Sequence, residues 1–571
     1  MGISPDKALW TAEDESLTLC DLTIGQMLDQ RAREQGEAPA LIFRAPETGV
    51  DRIWTYQQLR DDAQRYAAGL LALGITKGAK VAILSPNSPH WIILEYALAK
   101  IGAVLVTVNP AYRRAELSYL LDNGDVHTLF CIPSFRGFDT LAMVREITGL
   151  REGEGRDFTP IASEVFPTLR HVIALEAGDH GFADIDDFIA LTKSQLMDEV
   201  GRRQAIVSCE DIAQIQYTSG TTGAPKGVML SHRSTLNNAL ITATRGRFTK
   251  DDRMLSPMPL FHTAGCVCNV LGCLAAGAAL IAMPAFDGRR ALELAESEGA
   301  TIFNGAPTMA IRMMDVMAED AKAGRHYDLS SMKTYFTGGT TILPSHIHDV
   351  KKNMGADPLV IFGMTETSPL VTMTLPGEDF ELCATTAGKP MPHTGVRIFN
   401  HETGAIAGFG EQGELQIKGY LTMLGYYKMP DRTAETIVED GWLRSGDLAT
   451  LDARGYLRIT GRLKDMIIRG GENIYPAEVE NQLQSHPKIN QAQIVGVPDE
   501  EMGEECCVFI ELKAGESASA GEIAQWCRGQ MARHKLPKYI FFTESFPLTP
   551  SGKIKKYELR EMAQARIAQQ T

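Results

Sequence analysis

Two apolar periods alternate through the first third of the chain. After Thr55, the positions Leu59, Ala63, Tyr66, Ala67 and Leu70 recur at the three- and four-residue spacing that lines one face of a helix. Thr55 and Gln58 form a capping box ahead of that stripe, and Gly74 stands where the helix should stop. Val81-Ala82-Ile83-Leu84 is then apolar without a break and reads as a strand, Ser88-Pro89 opens another helix, and Val104 to Val108, apolar but for Thr107, reads as a strand again. Apolar runs separated by helices predict crossover units, hence an α/β fold with mostly parallel sheets. Towards the end the pattern changes. The runs at 492–497 and 507–512 are shorter, with Lys- and Glu-rich helices between them, which predicts a small α+β domain. The charged turn Gly461-Arg462-Leu463-Lys464-Asp465 marks the boundary, giving an N-terminal domain of residues 1–463 and a C-terminal domain of residues 464–571.

Residues 263–286 contain no charge, which raises the question of a membrane span. Gly265, Gly272 and Gly277 interrupt the stretch, and Leu280-Ile281-Ala282-Met283 before Pro284 reads as a strand. A buried helix turning into a buried strand is the expected structure, with no transmembrane segment. Cys266, Cys268 and Cys273 lie there with His262 just upstream, but their spacing matches no common zinc pattern and small buried thiols are expected.

Length and charge narrow the picture. At 571 residues the chain exceeds what one core usually serves, and its formal net charge of −15 argues against a general nucleic-acid or anionic-membrane binder. Its 10 cysteines are irregularly spaced, and the first residues carry acids with no apolar run. Reduced thiols, no secretory signal and a cytoplasmic protein are expected.

The strongest chemical signal is Tyr217-Thr218-Ser219-Gly220-Thr221-Thr222-Gly223-Ala224-Pro225-Lys226-Gly227. It follows the alternation of Ile212 and Ile215, so it leaves a strand for a loop. Glycines let a backbone approach an anion, hydroxyls donate hydrogen bonds and Lys226 supplies a point charge, which together suit a triphosphate. The segment is not a Walker loop, because Pro225 precedes the lysine and Gly227 follows it.

This loop resembles the phosphate loop of the adenylate-forming (AMP-binding) superfamily. The resemblance extends through Pro259-Leu260-Phe261-His262, Phe362-Gly363-Met364-Thr365-Glu366-Thr367 and Gly441-Trp442-Leu443-Arg444-Ser445-Gly446-Asp447. It continues through Gly461 to Asp465, Arg469-Gly470-Gly471-Glu472-Asn473-Ile474-Tyr475-Pro476 and Ser551-Gly552-Lys553, and so covers nearly the whole chain. Within the superfamily the sequence looks most like the medium-chain fatty acyl-CoA synthetases. The resemblance implies a large N-terminal domain of several α/β subdomains, parallel-rich sheets plus a distorted β-barrel, with a small mobile α+β C-terminal domain. It implies ATP, Mg²⁺ and coenzyme A as cofactors and a small-molecule carboxylic acid as substrate, with acyl-AMP formed first and acyl-CoA second. A homodimer is left open.

By the same resemblance Thr218, Ser219, Gly220, Thr221, Thr222, Gly223 and Lys226 hold phosphates. Glu366 is the Mg²⁺ ligand and Thr365 contacts phosphate. Phe362, where a Tyr is common in the family, stacks on adenine beside Gly363 and Met364. Asp447 takes the ribose hydroxyls, and Arg462 ribose or phosphate. Lys553 binds the carboxylate and the α-phosphate, His262 gates the acyl site, and Lys464 is the hinge. Arg469, Gly470 and Gly471 line the pantetheine passage, and Lys538 lies near the nucleotide end of CoA. Each of these side-chain types also suits its role on its own chemistry: a carboxylate for a hard cation, paired acceptors for a diol, a lysine where two anions must meet.

Phe261, residues 302–307 and Phe336-Thr337-Gly338-Gly339-Thr340 are the expected pocket, apolar or small and without a basic side chain. An aliphatic or simple aryl acid is therefore expected over a dicarboxylate, whose second charge would be buried alone. An aryl or other short substituted acid is the alternative substrate. A carrier-directed adenylation enzyme and a nucleotide-binding pseudoenzyme are further alternatives.

Overall fold

The structure, a computed structural model, describes residues 7–12, 17–151, 153–218, 225–339, 342, 344–470, 472–548 and 554–569. The chain divides into two compact units. One comprises Thr11–Gly395 and Lys418–Leu443; the other comprises Met1–Trp10, Val396–Ile417 and Arg444–Thr571.

Among the described residues the larger unit holds two large sheets and a small hairpin, Ser134–Phe135 with Phe138–Asp139. In the first, five consecutive neighbours run parallel: His171–Ala174, Val126–Cys131, Lys80–Leu84, Val104–Val108 and Ile212–Thr218. Antiparallel strands Lys226–Ser231 and Gly425–Tyr426 extend that edge. The second sheet runs parallel from Asp357–Gly363 through Thr334–Gly338, Ile302–Asn304, Arg253–Ser256 and Ala279–Ala282 to Pro39–Ala45. The crossover pattern read from the apolar runs is thus realised. Helix Tyr56–Ala72 begins at the Thr55/Gln58 capping box, and helix Pro89–Ile101 begins at Ser88, whose Oγ accepts from Trp91 N–H. Pro89–Ile101 is apolar nearly all round and buries Trp91, Ile92, Leu94 and Leu98, each side chain of this size contributing about 1.5–3 kcal/mol on leaving water.

The uncharged stretch folds as its composition predicts, with one addition. Ala264–Leu271 is a π-helix that passes into helix Gly272–Ala276, and Gly277 turns the chain into the buried strand Ala279–Ala282. Among the described residues no helix is long and apolar enough to cross a membrane.

Among the described residues the smaller unit contains a six-stranded sheet, ordered Leu9–Ala12, Thr394–Asn400, Gly413–Gly419, Leu443–Leu451 and Leu457–Arg462, with Ala405–Ile406 on Thr394–Asn400. Its second sheet has five strands centred on the hairpin Ile489–Asp499 and Gly503–Leu512. Alternation sorts that hairpin's side chains. Ile494, Cys506, Val508 and Ile510 meet helices Pro476–Gln484 and Ala520–Gln530 on one face, whereas Val495, Val497, Cys507 and Phe509 meet Lys556–Ala568 on the other.

Candidate active site

Three neighbouring parallel strands deliver their C-terminal ends to one edge of the second sheet, the edge where open α/β sheets bind ligands. Ile302–Asn304 leads to Gly305, Thr334–Gly338 to Gly339, and Asp357–Gly363 to the short helix Thr365–Thr367. The glycine at 338 is obligatory, since a Cβ there would lie 2.2 Å from the Ile361 carbonyl oxygen. Gly339 has φ +80° and open space where a side chain would project. Thr340 lies outside the described residues. Phe362, Gly363, Met364 and Thr365 are half-buried, and Glu366 is buried at 7% exposure.

The two ends of the phosphate-loop motif lie on an antiparallel pair of strands. Thr218 faces Lys226 and Tyr217 faces Gly227 across it. Ser219, Gly220, Thr221, Thr222 and Gly223 lie outside the described residues; the stem that presents them does not. Lys226 Nζ donates to the Tyr426 hydroxyl at 3.0 Å and sits 4.2 Å from that ring's centroid. The same hydroxyl donates to Glu366 Oε1 at 2.9 Å. Burial first, and then the adjacent Glu366 carboxylate, push the Tyr426 phenol well above its ordinary range, so it stays a neutral bridge between the lysine and the acid.

His262 follows Pro259-Leu260-Phe261 in a turn closed by its own N–H on the Pro259 carbonyl at 3.1 Å. Its carbonyl accepts from the N–H groups of Gly265 and Cys266, and its ring lies 4.8 Å from that of Phe261.

In the smaller unit, Asp447 and Arg462 face each other on adjacent strands, and Arg462 Nε donates to Asp447 Oδ1 at 3.0 Å. Asp447 is buried and the Arg462 side chain is half exposed. Lys464 is exposed in the turn Leu463–Asp465. Arg469 is committed within its own unit: Nη2 donates to Glu505 Oε1 at 3.0 Å and Nη1 to the His534 carbonyl at 2.7 Å. Gly470 has φ +58°, and its N–H donates to the Met502 carbonyl. Lys538 donates to Asp499 Oδ2 at 2.6 Å, and that contact leads in holding the Asp499 carboxyl down at about 2. Gly471 and Lys553 lie outside the described residues.

Residues 28–427 match the family described as AMP-binding enzyme, and residues 478–553 match the AMP-binding enzyme C-terminal domain. The chain belongs to the AMP-binding enzyme family. This AMP-binding enzyme is 41% identical to the putative acyl-CoA synthetase YngI of Bacillus subtilis, over 94% of its own length and 96% of that protein's. It is 38% identical to the human mitochondrial medium-chain acyl-CoA ligase ACSF2, over 95% and 88% of the two lengths. The crystal structure of ATP-bound MatB from Rhodopseudomonas palustris superposes with a TM-score of 0.78 at 27% identity, covering 95% of this chain and 99% of that one.

Sequence reading missed Tyr426. It lies in Gly425-Tyr426-Tyr427-Lys428, a strap that adds a strand to the phosphate-loop pair, and Tyr427 N–H donates to the Gly227 carbonyl. Tyr427 Oη and Lys428 Nζ both donate to Asp125, each at 2.7 Å. Two tyrosines and a lysine after a glycine are a local signal, but only the sheet order reveals what they reach.

Proposed function

We propose that this AMP-binding enzyme activates medium-chain fatty acids and that the residues gathered above carry the two half-reactions. The enzyme is an AMP-forming acyl-CoA ligase. A carboxylate oxygen of the acid attacks the α-phosphorus of ATP, pyrophosphate leaves, and the CoA thiolate then displaces AMP from the acyl carbonyl carbon. The observation that carries the reading is the bridge from Lys226 through Tyr426 to Glu366 at the strand ends. It places a phosphate-seeking cation and a hard carboxylate on one hydroxyl.

Magnesium fits that donor set. Among the described residues no group of three or more His, Cys, Asp or Glu side chains could hold a metal ion. A lone carboxylate beside Thr365 suits an ion that comes with nucleotide oxygens and water rather than one caged by protein. Glu366 would hold it and Thr365 would contact phosphate; the ion supplies charge neutralisation on the phosphates. Phe362, with Gly363 and Met364, gives adenine an aromatic face and backbone. Asp447 accepts from the ribose diol, with Arg462 orienting its carboxylate. Lys553 neutralises the repulsion between the carboxylate and the α-phosphate, and Lys464 is the hinge on which residues 464–571 turn between half-reactions. His262 gates the acid. Arg469, Gly470, Gly471 and Lys538 serve CoA.

The apolar character of the expected pocket residue Phe261, with glycines at the strand ends, supports an aliphatic acid, as does the identity to a medium-chain ligase; Phe303 and Phe336 are buried in separate cores on opposite faces of the sheet. All ten cysteines are free thiols, in keeping with a reducing compartment, and we place the enzyme in the cytoplasm. A pyrophosphate-release assay over straight-chain, aryl and dicarboxylic acids, with and without CoA, tests the reading. Release should depend on acid and Mg²⁺ and peak with a medium-chain acid, and thioester should form only with CoA. A benzoate-type preference would favour the aryl alternative, and no acid-dependent release would refute ligase activity.

A further inference from the structure

A chain of buried polar side chains crosses the apolar core just behind the proposed acid gate. Glu95, 2% exposed on helix Pro89–Ile101, accepts from Gln214 Nε2 at 2.6 Å through Oε1. Gln214 Oε1 accepts from Gln216 Nε2 at 2.8 Å, and Gln216 Nε2 also donates to Cys266 Sγ at 3.0 Å. The Cys266 thiol lies 3.5 Å from Gln214 Oε1 and 3.3 Å from the His262 carbonyl oxygen, and can donate its S–H to either. Three elements are thereby tied together: a core helix, the strand Ile212–Thr218 that leads into the phosphate loop, and the π-helix Ala264–Leu271 that begins two residues after His262.

A second set of bonds holds the other side of the π-helix. Asn269 Nδ2 donates to Ser256 Oγ, and Asn304 Nδ2 donates to Asn269 Oδ1 at 2.5 Å. Asn304 immediately precedes Gly305 of the expected pocket. These groups are all buried, in a segment that apolar packing alone would leave free to slide in register. The π-helix is an uncommon geometry that frequently accompanies function. Directional bonds from both sides select it over the α-helix that an apolar sequence adopts equally well. The chain ends on Glu95 Oε2, which is buried and has no hydrogen-bond partner among the described residues. Leaving such an oxygen unmade is costly, and a purely space-filling apolar residue would avoid that cost. Burial raises the carboxyl's affinity for its proton well above the ordinary range, so it accepts from Gln214 as a neutral acid.

We propose that Glu95 is a positioning residue that, through Gln214, Gln216 and Cys266, holds the π-helix and with it His262 in the conformation that admits the acid. This rests on the reading of His262 as the acid gate. Glu95 touches neither nucleotide nor acid; it acts through the carbonyl of His262 and the register of the helix behind it.

The test compares Glu95→Leu, Glu95→Gln, Cys266→Ala and the Glu95→Leu/Cys266→Ala double variant as full-length enzymes. Steady-state constants are measured separately for the preferred straight-chain acid and for ATP. Backbone hydrogen exchange over residues 262–272 is followed in the enzyme without substrates. Glu95→Leu should raise KM for the acid about tenfold or more while KM for ATP stays within about twofold, a split that general destabilisation does not produce. Exchange over 262–272 should rise about tenfold. Glu95→Gln, whose amide oxygen takes the same bond from Gln214, should stay within about threefold of the parent on each measure. The effects of Glu95→Leu and Cys266→Ala should be non-additive, because each breaks the same chain. Equal losses for acid and ATP, an unchanged acid KM and exchange in Glu95→Leu, or an additive cycle would each overturn the proposal. Should Glu95→Leu not fold, Cys266→Ala, which trims one atom at the opposite end, must show the acid-only loss alone. Parent enzyme that releases no pyrophosphate with any acid refutes the ligase reading instead, and the exchange comparison still decides whether Glu95 holds the π-helix.

Discussion

The hydroxyl of Tyr426 donates to Oε1 of Glu366 at 2.9 Å while accepting from Lys226 Nζ at 3.0 Å. The two residues are 60 positions apart, and the contact exists because Gly425–Tyr426 pairs with Lys226–Ser231 at the sheet edge. A bond between a neutral donor and a buried carboxylate is worth about 1.5–3 kcal/mol. Tyr426→Phe keeps the ring under Lys226 and removes that bond, so kcat/KM for ATP should fall about 10- to 100-fold. Binding of AMP without Mg²⁺ should hardly change. Titrating ATP and Mg²⁺ in the pyrophosphate-release assay checks this, and an unchanged metal dependence would make the bridge merely structural.

Asp447 and Arg462 form an ion pair with its arginine half exposed, and such pairs contribute only about 0–1 kcal/mol to stability. Asp447→Asn should therefore leave Tm almost unmoved. If the carboxylate holds the ribose, the same change should weaken AMP binding about tenfold or more by calorimetry, because a charged acceptor for two hydroxyls is lost. A large fall in Tm with unaltered AMP affinity would point to a role in the sheet alone.

Lys553→Ala should abolish adenylation by several powers of ten, if its charge dominates neutralisation of the two anions. The variant should still convert supplied acyl-adenylate to thioester. Lys464→Pro should do the opposite if the hinge lies there, since proline holds φ at about −65° and would impede the rotation. Measuring each half-reaction by single turnover separates the two, and equal loss of both halves in either variant would dismiss its assignment.

Each added methylene of a straight acid should improve kcat/KM about fourfold, from roughly 0.8 kcal/mol of burial, until the pocket floor is met. An extra carbon beyond it costs about 1–3 kcal/mol of forced packing. Gly339→Leu should shorten the preferred acid, because the space beside Gly339 is open, although φ +80° strains any side chain there. Comparing normalised length profiles from acetate to palmitate removes the overall loss that strain brings. Identical profiles would move the floor elsewhere.

His232 is fully buried, accepts from the Ile24 N–H through Nδ1, and has a buried Nε2 with no hydrogen-bond partner among the described residues. Burial holds its imidazole down, from the ordinary 6.5 to about 4, against the opposing pull of Asp211 and with a smaller push from Lys77. Between those values the unfolded chain binds the proton and the folded chain does not, so stability is lost as pH falls through that window. The loss amounts to about 3 kcal/mol at full titration, at about 1.4 kcal/mol per pH unit. Urea unfolding of parent and His232→Gln at pH 7 and pH 4.5 should show a steeper acid loss in the parent. Parallel losses would place the acid sensitivity elsewhere.

Local information settled much of this protein. The capping box at Thr55/Gln58, the strands at Val81 and Val104, and the helix-then-strand order of the glycine-punctuated stretch at 263–286 each depend on neighbours within a few residues, and each forms as its pattern predicts. The motif residues were legible for the same reason: Thr218 and Lys226, or Thr365 and Glu366, lie close in sequence, so their chemistry reads as a group. What tertiary structure alone decided is which distant groups share a proton or a charge. Tyr426 meets Glu366 through strand order, Arg462 meets Asp447 through register, and Arg469 turns to Glu505 across its own sheet. The π-helix belongs with these. An uncharged run of small and apolar residues around one asparagine has no preference strong enough to exclude an ordinary helix, and its geometry is set by Gln216 and Asn304 reaching it from strands that only the fold brings near.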